Sequence, residues 1–402
     1  MIVFILLFAF YSFNSAQEPI VKSLQVYPNN NILDLPVIRI GTSDKLNIEF
    51  DVEAEEEPAF SIVFKFCDDQ WTQYTDIGLI GIGDNTLYNV DVERLPMTIE
   101  GAEYHVKESF PQDDVEFLRS GNWKFFITDP QDTSIVYDWG EFYVVENTVK
   151  LKTSIQDWRR EGRISGNSAL DRVLNLKVNF QIPDSLSPFK VKYVKIIKNL
   201  ETSKPIILPK ESFSTTKGYE WDGAKSFTFI TRDLEPGNEY RQTNLRDHYR
   251  FQYPVTRAQF DGIEYSRFYE FGKRDFNGGF KLMNRNNQYA DYLTVKFEFR
   301  PPEKMYDDIF IVGSFTNWEV SPWFKLNNKD GLYSINLELK RGVYDYQYVT
   351  GNIDGDIVKD IDWYIFEGNF WETNNVYSIF VYYKDPDFGG YDKIIGYKRL
   401  VR

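Results

Sequence analysis

The sequence predicts an all-β protein made of tandem antiparallel β-sandwiches. Three observations carry that expectation. Apolar residues recur at every second position in run after run. Turn-forming residues separate those runs at short intervals. Aromatic residues are abundant, with 33 Phe, 27 Tyr and 9 Trp, and such side chains favour the pleated, half-buried surface of a strand. No heptad and no long 3.6-residue period competes with this pattern.

The chain opens on an address. Ile2 to Phe13 is apolar and uncharged, and Asn14, Ser15, Ala16 and Gln17 follow it. About a dozen apolar residues is too short for a membrane span and fits the core of a signal peptide, so residues 1–16 are expected to be one, although the usual basic start is missing. The first clear strand holds Leu46, Ile48 and Phe50 on one parity, and Trp123, Phe125 and Ile127 mark another. Leu176, Val178, Phe180 and Ile182 then alternate with Lys177, Asn179 and Gln181. Leu293, Val295, Phe297 and Phe299 do the same, as do Tyr333, Ile335, Leu337 and Leu339. Successive side chains of a strand point to opposite faces, so each run has one apolar face and one wet face.

Ser120-Gly121-Asn122, Lys329-Asp330-Gly331, Lys340-Arg341-Gly342 and Asp387-Phe388-Gly389-Gly390 are the breakers between them. A turn or two of helix is expected at 113–120 and at 157–163. At 402 residues the chain is too long for one ordinary domain. The consecutive prolines of Arg300-Pro301-Pro302-Glu303 form the clearest linker. The expected units are an N-terminal β-sandwich at 17–147, a middle β-rich domain at 148–300 and a C-terminal β-sandwich at 301–402.

The formal charge is −14, from 60 acidic and 46 basic residues, so the chain repels phosphate backbones and nucleic acid is not an expected partner. Cys67 is the single cysteine. It excludes an intramolecular disulfide, and its place in Phe64-Lys65-Phe66-Cys67 reads as a small buried strand residue. The imidazoles are His105 and His248, and neither sits in a nucleophile context. Asp68 with Asp69, Asp113 with Asp114, and Glu55 to Glu57 read as solvated loop charge, because glycoside hydrolysis needs two carboxyls set across a cleft. Asn352, Asp354, Asp356 and Asp360 surround Gly355 but miss the calcium-loop spacing. Gly81-Ile82-Gly83 is too little for a phosphate cradle. Lys190, Lys192, Lys195 and Lys198 line a strand-like run and are expected to guard a sheet edge. The reading assigns no catalytic, cofactor or metal residue, and leaves the partner contacts unassigned.

An ordered set of short motifs runs along the chain. It begins with Lys22-Ser23-Leu24-Gln25-Val26-Tyr27-Pro28 and Leu35-Pro36-Val37-Ile38-Arg39-Ile40-Gly41. Phe66-Cys67-Asp68-Asp69-Gln70-Trp71, Ser120-Gly121-Asn122-Trp123 and Pro236-Gly237-Asn238-Glu239-Tyr240-Arg241 follow. Then come Asp275-Phe276-Asn277-Gly278-Gly279-Phe280, Ala290-Asp291-Tyr292-Leu293 and Gly313-Ser314-Phe315-Thr316-Asn317-Trp318. The set closes with Gly342-Val343-Tyr344-Asp345-Tyr346-Gln347-Tyr348, Phe366 to Asn375, and Val381-Tyr382-Tyr383. In this order the motifs resemble the type IX secretion system plug family of Bacteroidetes-type bacteria. Phe66 stands where the family usually has His, and Leu245 to Tyr249 departs from the usual Arg-Ser-Leu-Arg-Tyr-like run.

The resemblance implies a non-enzymatic periplasmic protein, peripheral to the inner face of the outer membrane. It implies a protein partner, the outer-membrane translocon β-barrel, whose periplasmic opening the chain binds and occludes when no cargo is in transit. It implies no cofactor and an Ig-like, early-set C-terminal domain. The Gly313 to Trp318 motif also resembles early-set carbohydrate-binding modules, which puts Trp318, Trp323, Trp363 and Trp371 forward as sugar-stacking candidates in a non-catalytic glycan-binding alternative. Their bland reading is that they fill a core or its rim.

Overall fold

The computed structural model describes residues 18–80, 87–112, 115–159, 172–211, 214–267, 275–283, 289–303 and 307–402. The expected signal segment 1–16, Gly81-Ile82-Gly83 and the Asp113–Asp114 pair lie outside the described residues. What is described is all-β, in six sheets packed as three sandwiches. Among the described residues no helix is long and apolar enough to cross a membrane.

The first sandwich is built from β1 (Ile20–Pro28), β2 (Val37–Arg39), β3 (Leu46–Glu53), β4 (Ser61–Cys67) and β5 (Leu87–Asn89). It continues with β6 (Glu93–Arg94), β7 (Tyr104–Phe110), β8 (Gly121–Thr128) and β9 (Val136–Val145). One sheet runs β1-β3-β7-β6 and the other β2-β9-β8-β4-β5. Their apolar faces share one core, in which Ile48 and Phe50 meet Phe64, Phe125 and Phe142. The alternation in the sequence is therefore the sandwich interior.

The chain then forms β10 (Lys152–Arg159), β11 (Arg172–Gln181), β12 (Val191–Lys198), β13 (Ile206–Pro209), β14 (Lys217–Trp221) and β15 (Ser226–Leu234). The sheet β10-β11-β15-β14 buries Leu176, Val178 and Phe180. Its partner sheet is incomplete at this point in the chain.

Next come β16 (Arg241–Asn244), β17 (Val255–Arg257), β18 (Glu264–Tyr265), β19 (Phe280–Leu282) and β20 (Tyr292–Arg300). They are followed by β21 (Asp308–Gly313), β22 (Asn327–Lys329), β23 (Leu332–Lys340), β24 (Gly342–Asp354) and β25 (Ile357–Asp362). These ten strands make the third sandwich. Its core joins Leu293, Val295, Phe297 and Phe299 to Ile309, Ile311, Tyr346 and Tyr348. Only then do β26 (Val376–Asp385) and β27 (Tyr391–Val401) return to the second sandwich and finish the sheet β13-β12-β26-β27.

The sheets do not follow the expected division at 300/301. β20 lies before the proline linker and pairs with β23 beyond it, from Tyr292↔Lys340 to Phe299↔Tyr333. β26 pairs with β12, from Val191↔Tyr383 to Lys198↔Tyr377. Two prolines stop a strand, but they say nothing about which sheet the next strand joins. We therefore propose units drawn by core: 20–145, 151–234 with 376–401, and 241–362. Two local expectations also change. Asp157 lies in a strand, held by eight consecutive register pairs between β10 and β11, and 115–120 contain no helix. The lysine-bearing β12 is not an edge, since β13 and β26 flank it.

Truncation after Asn374 removes two of the four strands that close the second sandwich. It is expected to abolish that unit's cooperative thermal transition, and an isolated 301–402 fragment is expected to stay unfolded by circular dichroism.

Candidate functional site: the junction of three sandwiches

The motifs read from the sequence converge where the sandwiches meet. Between the first and second, Tyr143 and Val145 pack on Phe380, Tyr382 and Ile394, with the Tyr143 and Phe380 rings 4.6 Å apart. Tyr382 donates to Asn122 Oδ1 at 2.6 Å. Gly121 is needed beside it. Its φ is +146°, and a Cβ there would lie 2.8 Å from the Asp392 carbonyl oxygen. Lys192 bridges Asp69 at 2.5 Å and Asp392 at 2.8 Å. Burial alone would push the Asp69 carboxyl up, but Lys192, helped by Tyr193 and Gln70, more than offsets it and holds it below its ordinary range. Lys195 is buried, with its Nζ over the rings of Trp71, Tyr143 and Tyr382. Burial lowers its pKa to about 8.

Between the first and third sandwiches the contact is a buried ion pair. Asp51 Oδ2 lies 2.6 Å from Lys340 Nζ, and their side chains are 1% and 5% exposed. Tyr292 donates to the same carboxylate at 2.8 Å, and His105 Nδ1 lies 2.8 Å from its other oxygen. Burial would raise the Asp51 carboxyl; His105 and Lys340 more than offset it and hold it low. Alongside, Lys22 bridges Glu53 and Glu338 at 2.5 and 3.0 Å.

Between the second and third sandwiches, two distant motifs knit together. Asn375 donates to the Pro236 carbonyl at 3.0 Å, Thr373 to Gly237 at 3.1 Å and Asn238 to Glu367 at 2.8 Å. Asn199 donates to Tyr240 and Asn375 at 3.0 and 2.8 Å. Arg241 then enters the third core, 2.7 Å from Glu367 and 3.2 Å from Glu264. Tyr346 and Tyr348 donate to Glu264 at 2.9 and 2.7 Å.

The loop Asp275–Gly279 fills the centre. Asp345 accepts the N–H groups of Phe276 and Gly278 at 2.6 and 3.0 Å. Trp318 donates through Nε1 to the Gly278 carbonyl at 2.8 Å. Gly278 has φ +82°, and a Cβ there would sit 3.0 Å from that Trp318 nitrogen. Burial pushes the Asp345 carboxyl up to about 7, against the pull of Gln242 and the loop N–H groups, and Glu239 pushes the same way as burial. Burial and Asp345 raise Asp275 well above its ordinary value. A cavity of about 240 Å³ remains beside this loop, walled by Leu35, Asn199, Asn277 and Arg399 among others.

The other sequence candidates are scattered. Trp318 is buried and spent on Gly278. Trp323 is 87% exposed. Trp363 covers Lys204 at 3.4 Å, and Trp371 lies between Arg172 and Arg402. His248 is exposed and rests on Tyr249. Glu55 to Glu57 are exposed, and Asp354 pairs with Lys359 on the β24–β25 hairpin. Burial pushes the Cys67 thiol up to about 11, which suits the expected inert strand residue.

Residues 21–146 match the family model described as the type 9 secretion system plug protein 1st domain. The likeness to plug proteins therefore holds over the first sandwich. The domain's description indicates a type 9 secretion system plug protein. No curated protein matches the chain. Among solved structures, a hypothetical protein from Parabacteroides merdae ATCC 43184 superposes with a TM-score of 0.76 over 95% of this chain and 97% of that one, at 19% identity. At that identity the likeness speaks for the fold alone.

The Asp51–Lys340 pair escaped the sequence reading because Asp51 takes the wet parity of β3, and the third sandwich covers it. Removing one partner of a buried pair costs about 3–5 kcal/mol. Lys340→Met is expected to lose about 3 kcal/mol in denaturant unfolding, with Asp51→Asn in the same chain restoring much of it. For Asp345 the folded pKa lies above the unfolded one, so the charged form is the penalised form. Stability from this group is full below the ordinary carboxyl value of 3.8 and falls as pH rises through about 7. The Tm of Asp345→Asn minus that of the wild type is therefore expected to grow between about pH 4 and about pH 7 and to level off above that; a constant difference across that range would contradict the assignment.

Proposed function

We propose that the chain is a periplasmic plug subunit that binds the periplasmic opening of the type IX secretion outer-membrane translocon and occludes it when no cargo is in transit. The observation that carries this reading is the closed ring of contacts among the three sandwiches, together with the plug-domain match over the first. Each sandwich touches the other two through buried or half-buried polar contacts with defined partners: Lys192 with Asp69, Lys340 with Asp51, and Asn199 with Tyr240. Such contacts fix orientation more than they add affinity. A stopper works by excluding volume, and it fails if its body flexes. The ring supplies that stiffness without chemistry.

On this reading a signal peptide at 1–16 delivers the chain to the periplasm, and it meets the membrane only through its barrel partner. The interface belongs at the modest end of the usual class of about 1,200–2,000 Å², because a cargo complex must displace it. A glycan-binding role draws no support from the four tryptophans: Trp318 is buried with Trp363 packed against its cluster, Lys204 lies over Trp363, and Arg172 and Arg402 lie over Trp371.

In cells whose translocon is locked open, deleting the gene is expected to raise permeability to small hydrophilic solutes, and re-expression is expected to reverse it. Unchanged permeability would sink the occlusion mechanism.

A further inference from the structure

Five of the 22 large apolar side chains exposed among the described residues fall between Tyr249 and Tyr265: Tyr249, Tyr253, Val255, Phe260 and Tyr265. They flank an edge of the third sandwich, where β17 and β18 pair in parallel with β20. The hydrogen bonds set the direction of each main-chain group. Thr294 donates to the Pro254 carbonyl, and Ala258 donates to the Lys296 carbonyl. Inward bonding therefore falls on even-numbered residues, and the N–H and C=O groups of Val255 and Arg257 point away from the sheet. No described strand pairs with that side. Val255 is 62% exposed.

An open edge of this kind is a template for another strand, and proteins usually blunt such edges with lysine. The opposite edge of the same sheet, β22, does so with an exposed Asn-Asn-Lys. The β17 edge instead carries aromatic rings and arginines. Between Leu245 and Tyr265 the chain has Arg246, Arg250 and Arg257 against Asp247, Asp261 and Glu264; Glu264 is taken up inside by Arg241, Tyr346 and Tyr348, which leaves a small cationic excess on a −14 chain. Arg250 lies over the exposed Phe260 ring at 5.2 Å and only 4.0 Å from Asp247. Arg257 is 62% exposed even with Glu298 at 3.2 Å. Outward main-chain groups, apolar side chains and cations together fit an extended peptide that carries carboxylates.

We propose that the β17 edge receives an extended, acidic segment of the translocon, which adds a strand beside Val255–Arg257. The proposal rests on the plug reading. Val255→Pro deletes an outward N–H and breaks no bond to β20. Tyr249→Ser with Arg250→Glu changes only exposed side chains. The full chain and the detergent-purified translocon are compared by biolayer interferometry at low and high salt, with thermal unfolding as the check on each variant. Val255→Pro is expected to weaken binding about tenfold at unchanged Tm, and the Tyr249→Ser/Arg250→Glu variant to slow association about tenfold and flatten its salt dependence. Wild-type binding with undiminished binding by both variants overturns the proposal and leaves the plug reading standing. Absence of wild-type binding overturns the plug reading and the proposal with it. Self-association of the wild type in sedimentation that Val255→Pro abolishes also overturns the proposal, by assigning the edge to a second copy.

Discussion

The pairing of β12 with β26 is the constraint on which the molecule depends. It joins residues nearly two hundred positions apart, along the whole of Val191–Lys198. Without it the second sandwich has a bare face, and its inner residues Ile196, Ile379 and Val381 lose one another. The same two C-terminal strands carry Phe380, Tyr382 and Asp392 to the first sandwich. One long-range pairing thus completes a core and fixes a neighbour. Its closure entropy is high, but that cost rises only logarithmically with loop length, and the buried aromatic area repays it.

The three contacts divide the labour between apolar and polar groups. Tyr143, Val145, Phe380 and Ile394 supply area and hence affinity between the first and second sandwiches. The ion pairs contribute less net energy, because each charge is stripped of water before it is paired. What they add is uniqueness. Opposite Asp51 the buried Lys340 is satisfied; slid against an apolar part of the first sandwich it would be a buried, unmatched cation. The loop Asp275–Gly279 is held in the same manner from the third sandwich by Asp345 and Trp318.

Strand content and the inward face of the alternating strands, such as β3, β8, β11 and β20, were legible in the sequence. Leu176, Val178 and Phe180 lie inside as their parity requires, and Cys67 is the buried strand residue that its neighbours suggest. The motifs Ser120 to Trp123, Pro236 to Arg241 and Phe366 to Asn375 were legible too, but only as strings. Their common place at the junctions was not. Lysines on β12 suggested a guarded edge, because a lysine is nearly always solvated. Here Asp69, Asp392 and three aromatic rings take the place of water.

By itself the sequence determined the secondary structure class and the core side of the strands that alternate, such as β3, β11 and β20. Those follow from local chemistry: a two-residue period, turn residues and aromatic preference. The tertiary structure alone decided which strands share a sheet, which wet faces become interfaces and where the units divide. A strand's hydrogen-bonding edges are main-chain groups common to every residue, so the choice of partner leaves almost no mark on the side chains that a sequence records.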